Sequence, residues 1–161
     1  MALAEDFTIE EKEEQERMVL ESVDRFLERD VEPFAHELEA DDTYPQEIVE
    51  KMIDMGLFGA TIGTEYGGLG LSVSTYAKIV ERVSTVWMSV SGIFNSHLIM
   101  AAAVERSGTE EQKAKWLPRF ASGELRGGIA LTEPDAGTDL QGIRTRADKS
   151  GNGYALNGAK T

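Results

Sequence analysis

The sequence predicts a mainly α-helical chain in which residues 1–124 form an antiparallel helical bundle and residues 125–161 begin a β domain. Three observations lead to this prediction. Apolar residues recur at the 3.6-residue helical period as far as Gly123, capping sequences mark the helix starts, and the pattern changes to that of strands after Gly123. With 161 residues, 41% of them hydrophobic, the chain is long enough for one domain with a core and the start of another.

The first two helices are predicted from their caps and from proline and glycine. Thr8–Glu11 has the form of a capping box and opens a helix from Ile9 to Asp30. Pro33 breaks or restarts this helix, because proline cannot donate a backbone hydrogen bond. A second helix begins near Pro45, and Gly56 has the place of its terminating C′ residue.

Residues 59–71 are predicted to form a loop, since five of these thirteen residues are glycine. A loop of this composition could cradle a phosphate. The other elements of a P-loop are missing, because no strand is predicted before it and no Lys-Ser or Lys-Thr pair closes it. We therefore favour a structural loop.

Two more helices are expected after this loop. The helical period returns at Ser74, a turn is expected near Ser84–Thr85, and a buried helix then ends near Arg106. Residues 86–104 are apolar but contain too many polar groups for a simple membrane span. Thr109–Gln112 is a second capping box and opens the last helix.

Three strands are expected in the last part of the chain, at Gly127–Thr132, Ile143–Lys149 and Tyr154–Lys160. Residues Ser150–Gly153 are predicted to form the hairpin turn between the last two. Three strands leave unpaired edges, so we expect this part to be the start of a domain whose remainder lies outside this sequence.

Composition excludes some classes of partner. The net charge is −13, and 18 of the 29 acidic residues lie in the first 50 positions, where we expect a solvated helix face. Nucleic acid and anionic membranes would be repelled by this charge. The chain has no cysteine, which excludes disulfide and thiol chemistry. The first 16 residues lack the features of a signal or transit peptide, so we expect a cytoplasmic protein of a bacterial cytosol, or a mitochondrial matrix protein from which a transit peptide has been removed.

The strongest candidate for chemistry is the segment LTEPDAGTD, Leu131–Asp139. A short apolar run is followed by the hydroxyl of Thr132, by Pro134 and by Gly137, where the main chain can approach a ligand closely. Exposed N–H groups and two hydroxyls suit a phosphate or the edge of a heteroaromatic ring. The alternative is an ordinary loop rich in turn-forming residues.

The other candidates favour structural roles. His36 and His97 lack neighbouring ligands at metal-binding spacing, so no metal site is predicted. Glu133 and Asp139 could be an acid/base pair, but carboxylates beside a turn more often cap N–H groups. The Gly-x-Ser-x-Gly arrangement of a nucleophilic serine is absent. We predict no catalytic residue in this chain.

These segments together resemble the flavin-dependent acyl-CoA dehydrogenases. LTEPDAGTD resembles that family's signature, and EYGGLGLS at Glu65–Ser72 resembles its glycine loop. GTEEQKAKWLPRFASGE at Gly108–Glu124 is similar to the last helix before its sheet domain, and GYALNGAKT at Gly153–Thr161 to the strand that enters its second flavin-contacting motif. The matches are in the family's order and span nearly the whole chain.

The resemblance implies an incomplete acyl-CoA dehydrogenase fold, with a helical domain at 1–124 and the start of a β-barrel-like middle domain at 125–161. It implies FAD as the cofactor, bound between the middle domain and a C-terminal helical bundle that this sequence does not contain. The implied cofactor-binding residues are Ile129, Leu131, Thr132, Gly137 and Thr138. Leu131 and Thr132 would face the pyrimidine edge of the flavin, Gly137 and Thr138 would approach the pyrophosphate, and Thr138 would also contact the acyl-CoA substrate.

The implied reaction is the α,β-dehydrogenation of an acyl-CoA thioester in fatty acid metabolism. The catalytic base would be a glutamate of the absent bundle, so this chain alone is expected to be inactive. The implied partners are an electron-transferring flavoprotein as electron acceptor and further copies of the chain in a dimer or tetramer. Two alternatives stay open, namely a related flavin oxidase and a non-catalytic helical interaction module of the same fold.

Overall fold

The computed structural model describes residues 8–161, which form two compact units, one extending to Gly127 and the other Gly128–Thr161. Residues 1–7, part of the predicted bundle and of the stretch predicted to lack a targeting signal, lie outside the described residues. The first unit is helical, and its α-helices are α1 (Ile9–Phe26), α2 (Glu32–Ala40), α3 (Gln46–Asp54), α4 (Val73–Ser107) and α5 (Glu110–Ala121). Within residues 8–161, strands occur in the second unit only, β1 (Arg146–Ser150) and β2 (Gly153–Asn157), so the predicted order of helices before strands is confirmed.

Helix α1 begins as predicted and ends earlier than predicted. The Thr8 hydroxyl accepts the N–H of Glu11, and the Glu11 carboxylate accepts the N–H of Thr8, which confirms the capping box. The α-helical pattern ends at Phe26 rather than Asp30 and passes through a π-helical turn, Leu27–Val31, into α2. Pro33 lies in the first turn of α2, where its missing N–H needs no partner.

The glycine-rich loop is packed against itself. Gly56 precedes it in the left-handed conformation (φ 77°) and ends α3 as predicted. A Cβ on Gly68 would lie 2.1 Å from the carbonyl oxygen of Ile62, so the two backbone segments approach too closely for any side chain. The loop's N–H groups donate to its own carbonyls, which holds for Gly67, Gly68, Leu69, Gly70 and Leu71. These donors are not available to a phosphate, so the loop is structural.

Helix α4 contains both helices predicted after the loop, separated by a kink. The break expected near Ser84–Thr85 is present but lies slightly further along the chain, because the Thr85 hydroxyl bonds back to the carbonyl of Glu81 at 2.8 Å and the helix continues past it. The break comes instead at Trp87, whose backbone is non-helical (φ −155°, ψ 104°). The Trp87 indole N–H donates to the carboxylate of Glu39 on α2, which fixes this kink from outside the helix.

The core of the helical unit is formed by the apolar faces of these helices and by the turn after α3. By length and composition alone, α4 could cross a membrane, but ten of its residues are buried within the chain. Each large apolar side chain that is fully buried contributes about 1.5–3 kcal/mol to stability. The largest fully buried apolar side chains are Phe58, Phe94, Met52, Leu57, Ile62, Ile79, Leu117, Val23, Val31, Val49 and Val83.

The second unit contains one antiparallel hairpin. Strands β1 and β2 pair from Arg146 opposite Asn157 to Ser150 opposite Gly153. The predicted hairpin turn is confirmed, with Gly151 (φ 58°) in its first central position. All ten strand residues are exposed, and the paired side chains alternate between the two faces of the hairpin.

The predicted strand bounds need correction. Residues 127–132 form no strand, because Gly127 and Gly128 have no side chains to pack and the only backbone hydrogen bond of this segment is from Thr161 to Thr132. The second predicted strand, Ile143–Lys149, is displaced to Arg146–Ser150. The third, Tyr154–Lys160, starts one residue earlier and ends at Asn157.

Candidate functional site

The segment Leu131–Asp139 contains a tight turn that begins at Glu133. The N–H of Glu133 donates to the carbonyl of Ala136 at 2.8 Å, and the N–H of Ala136 donates back to the carbonyl of Glu133 at 3.1 Å. Pro134 follows Glu133 in this turn, where its fixed φ is favourable and no N–H is required. Ala136 is buried, so the turn is anchored within its own unit.

The Glu133 carboxylate holds the turn against the start of the hairpin. Oε2 accepts the backbone N–H of Arg144 at 2.8 Å, and Oε1 accepts that of Thr145 at 2.9 Å. Nζ of Lys160 lies 3.0 Å from Oε1. The residue is only 7% exposed, and a buried carboxylate is stable only when its charge is matched by donors of this kind. We call Glu133, Arg144, Thr145 and Lys160 the carboxylate clamp.

The clamp keeps Glu133 ionised. Its pKa is lowered from 4.5 to about 2 by the Thr145 hydroxyl and by the N–H groups of Arg144 and Thr145, while burial opposes this shift. The Thr145 hydroxyl makes no hydrogen bond of good geometry to the described residues, so the two N–H groups are the main cause of the lowered pKa. A carboxylate with such a low pKa is a weak base at neutral pH. The prediction that Glu133 caps N–H groups is therefore confirmed.

Residues 160 and 161 bind two successive carbonyls of the candidate site. Nζ of Lys160 donates to the carbonyl of Leu131 at 2.9 Å, in addition to its contact with Glu133. The N–H of Thr161 donates to the carbonyl of Thr132 at 3.1 Å. The backbone of Leu131 and Thr132 is therefore fixed on its carbonyl side.

The residues predicted to bind the cofactor are exposed. They are Ile129, Leu131, Thr132, Gly137 and Thr138. Their backbone N–H groups donate to no acceptor among residues 8–161, and the hydroxyls of Thr132 and Thr138 are equally without partners in that range. A held loop with unused donors is suited to a ligand that is rich in acceptor atoms.

Gly137 has no conformational reason to be glycine. Its φ is not positive, and a Cβ built on it would meet no described atom within 4 Å. The open space beside its backbone is compatible with the close approach of a ligand.

Asp139 and Glu133 do not form an acid/base pair. Oδ1 of Asp139 accepts the N–H of Gln141 at 3.1 Å and so caps a short 3₁₀ turn, Leu140–Gly142. Asp135 is exposed and lies 3.7 Å from the guanidinium of Arg144. Each of the three carboxylates in this segment thus has a local structural partner.

The two histidines lie in the helical unit and differ in burial. His97 is fully buried, with Nε2 3.1 Å from the carbonyl oxygen of Phe120, and its ring contacts Phe58 and Phe120. Burial lowers the pKa of His97 below its usual 6.5. His36 is exposed. Within the described range, no three His, Asp or Glu side chains are grouped as metal ligands.

Sequence reasoning missed three members of the clamp, namely Arg144, Thr145 and Lys160. Arg144 and Thr145 contribute backbone N–H groups, which no side-chain pattern reveals. Lys160 is the only basic residue after the hairpin. A search of the sequence for a cation that could match the charge of Glu133 could therefore have found it.

The family of this chain is shown by comparison with known proteins. Residues 13–124 match the family model described as acyl-CoA dehydrogenase, N-terminal domain. Because the match covers more than half of the sequence, the chain belongs to the acyl-CoA dehydrogenase family. The resemblance inferred from the four sequence segments is confirmed.

Curated relatives align with nearly the whole chain. The (2S)-methylsuccinyl-CoA dehydrogenase of Cereibacter sphaeroides is 39% identical over 150 residues, which are 92% of this chain and 27% of that protein. The short-chain-specific acyl-CoA dehydrogenase of Clostridium acetobutylicum is 38% identical over 156 residues, covering 96% and 40%. The acryloyl-CoA reductase (NADH) of Anaerotignum propionicum is 36% identical over 157 residues, covering 96% and 39%. The chain therefore spans well under half the length of these relatives.

Solved structures share the fold. Butyryl-CoA dehydrogenase from Megasphaera elsdenii superposes with a TM-score of 0.84 at 31% identity, covering 96% of this chain and 41% of that one. A chain in the structure of the electron-transferring flavoprotein of Acidaminococcus fermentans has a TM-score of 0.85 at 33% identity, covering 96% and 40%. The acyl-CoA dehydrogenase of Bacillus anthracis, solved with FAD, has a TM-score of 0.79 at 31% identity, covering 98% and 27%.

Proposed function

We propose that this chain supplies the N-terminal part of an FAD-dependent acyl-CoA dehydrogenase, and that residues 129–138 form one wall of its flavin site. One observation carries the proposal. The loop is fixed on its carbonyl side by Lys160 and Thr161, while the N–H groups of its five predicted cofactor-binding residues and the hydroxyls of Thr132 and Thr138 have no partner in residues 8–161.

The donors of this loop fit the chemistry of FAD. The pyrimidine edge of a flavin and its pyrophosphate both present acceptor atoms, and unused backbone N–H groups are suitable donors to both. In our proposal Leu131 and Thr132 meet the pyrimidine edge, and Gly137 and Thr138 meet the pyrophosphate. The exposed side chain of Ile129 supplies apolar contact. Thr138 also contacts the acyl-CoA substrate.

The chain's own residues bind and orient rather than transfer protons. FAD, when bound, supplies the hydride acceptor of the reaction. Glu133 is a buried carboxylate within the loop, but its low pKa and its three donors make it unsuitable as the base. We therefore assign no catalytic base to the described residues.

The proposed substrate class is an acyl-CoA thioester. The relatives named above include proteins described as acting on methylsuccinyl-CoA and acryloyl-CoA, which supports a coenzyme A thioester and leaves the acyl group open. The structural likeness to a chain in an electron-transferring flavoprotein structure supports such a protein as the redox partner. A role in fatty acid metabolism is part of the same proposal.

A second function, protein association, is supported by one feature of the hairpin. Ala147, Lys149, Tyr154 and Leu156 share one face, and Tyr154 and Leu156 are 65% and 76% exposed. Large exposed apolar groups of this kind favour association. This feature supports a homo-oligomer, and it also supports the alternative of a non-catalytic interaction module.

Flavin content and flavin reduction test the proposal. We expect the 161-residue chain to be colourless as purified and inactive with acyl-CoA, because one wall of a site retains only part of the binding energy. A chain of the relatives' length that carries these residues should be yellow, and an acyl-CoA should bleach its flavin absorbance. A full-length chain that stays colourless after incubation with FAD would support the interaction module instead.

A further inference from the structure

The peptide unit that joins Leu131 to Thr132 has a cation on one side and an unused donor on the other. Its carbonyl oxygen accepts the ammonium of Lys160 at 2.9 Å. Its N–H, that of Thr132, donates to no acceptor among residues 8–161. In a trans peptide these two groups point in nearly opposite directions. Fixing the carbonyl therefore also fixes the direction of the Thr132 N–H.

The ammonium acts on the strength of this donor as well as on its direction. A hydrogen bond to a peptide carbonyl polarises the peptide, and bonds that follow one another through a peptide strengthen each other by about 10–30%. The bond from Lys160 is charge-assisted, which makes this polarisation stronger than that of a neutral donor. The Thr132 N–H is thereby a better donor than an ordinary exposed amide.

Lys160 is itself held in place. Nζ lies 3.0 Å from Oε1 of Glu133, and the side chain is only 28% exposed. Glu133 in turn is fixed by the N–H groups of Arg144 and Thr145. The ammonium therefore has a defined position between a carboxylate and a carbonyl, unlike a solvent-exposed lysine that samples many rotamers.

From this arrangement we infer that Lys160 is a positioning residue of the flavin site, which orients and polarises the Leu131–Thr132 peptide so that the Thr132 N–H binds an acceptor on the flavin ring. The inference rests on the proposed function, because the acceptor is assigned to FAD. Lys160 acts through the peptide and does not itself contact the cofactor.

Two substitutions of Lys160 separate charge from shape. Lys160→Met keeps much of the aliphatic stem and removes the charge and all three donors, whereas Lys160→Arg keeps a cation that can reach both oxygens. Lys149→Met is the matched control, because Lys149 is an exposed lysine of the same unit with no ion pair among the described residues. Circular dichroism of each variant reports whether the helical unit is still folded.

The test uses amide resonances of the ¹⁵N-labelled chain, first without ligand and then during titration with FAD. We expect Lys160→Met to move the Thr132 amide proton to higher field, while Lys149→Met leaves it unchanged. We expect FAD to bind about tenfold more weakly to Lys160→Met than to the unsubstituted chain, because one charge-assisted hydrogen bond is lost. The affinity of Lys160→Arg for FAD should be within about threefold of that of the unsubstituted chain.

The failures of the two proposals are distinguishable. If the Thr132 amide is unchanged in Lys160→Met while the unsubstituted chain binds FAD, the positioning role is overturned and the proposed function stands. If the Thr132 amide moves but no chain shifts with FAD at any concentration, the inferred role towards flavin is overturned, whereas the proposed function is decided by the flavin content of a chain of the relatives' length. If Lys149→Met weakens FAD binding as much as Lys160→Met, general charge rather than the Leu131 contact is responsible, and the inference is overturned.

Discussion

Glu133 Oε1 accepts the backbone N–H of Thr145 at 2.9 Å, and this bond determines where the hairpin begins. The N–H of Arg144 is bound to the other carboxylate oxygen at 2.8 Å. Donors that are bound to a carboxylate are not available to a strand ladder, so β1 begins only at Arg146. The candidate flavin loop and the hairpin are thus joined through one side chain.

Substitution of this side chain should loosen both segments. Glu133→Gln keeps the shape but removes the charge and one of the two acceptor oxygens. We expect faster hydrogen exchange of the Arg144 and Thr145 amides, with the helical unit unaffected. Asp135→Asn is the control, since Asp135 is an exposed carboxylate of the same turn. Equal protection in Glu133→Gln and the unsubstituted chain would show that the clamp does not hold these amides.

Acid should weaken the clamp in a defined range of pH. The folded pKa of Glu133, about 2, is below its ordinary value of 4.5. A lowered carboxyl pKa contributes stability that is complete above 4.5 and is lost as the pH falls from 4.5 towards 2. The protection of the Arg144 and Thr145 amides, corrected for the intrinsic pH dependence of exchange, should fall in this range. In Glu133→Gln, which cannot titrate, that fall should be absent.

The helical unit should also lose stability as the pH falls, because of His97, and this loss should begin at a higher pH than that of the clamp. Burial lowers its pKa, and Nδ1 finds no hydrogen-bond partner in the described part of the chain. The neutral ring is therefore favoured in the folded state, and the stability it gives is complete above its ordinary pKa of 6.5 and lost as the pH falls below it. Urea unfolding followed by circular dichroism should show this loss.

Matched substitutions of the two histidines isolate the effect. His97→Gln should be less stable at neutral pH, because it loses the ring contacts with Phe58 and Phe120, and should have a flatter dependence of unfolding free energy on pH. His36→Gln, which replaces an exposed histidine of the same unit, is the control. If the slope is unchanged in His97→Gln, another group is responsible for it.

Gly158 gives a steric test of the second unit, which contains the hairpin. A Cβ at Gly158 would lie 2.1 Å from Oγ1 and 2.7 Å from Cα of Thr145, so backbone must shift to admit it. We expect Gly158→Ala to destabilise the hairpin unit by roughly 1–3 kcal/mol, as overpacking does. Gly153→Ala is the control, because a Cβ there meets nothing within 4 Å. Amide exchange of the hairpin measures both, and equal protection in the two variants would contradict the predicted clash.

Local signals in the sequence were sufficient for much of the helical unit. The capping boxes at Thr8 and Thr109 and the terminating glycine at Gly56 are as predicted, because each depends on neighbours within a few residues. A break near Ser84–Thr85 was predicted, but its position at Trp87 was not predictable in the same way. Its indole is bound by Glu39, 48 residues away, and no local residue marks the break.

The candidate site was predictable in part. Its composition indicated free donors and a turn at Pro134, and both are present. The error in the strand bounds has a long-range cause, because the N–H groups of Arg144 and Thr145 are bound by a carboxylate 11 and 12 residues before them. A period of two residues indicates a strand but cannot show that its first donors are already bound.

The central claim is that residues 129–138 bind flavin, and mapping FAD onto the amide resonances of this chain tests it most directly. We predict that titration with FAD shifts the amides of Leu131, Thr132, Gly137 and Thr138 and leaves those of the hairpin turn at Gly151 unchanged. Thr132→Val removes a hydroxyl with little change of shape and should weaken this binding by about three- to tenfold, as for one lost hydrogen bond. Shifts confined to other residues, or equal binding by Thr132→Val with no shift at Thr132, would contradict the account.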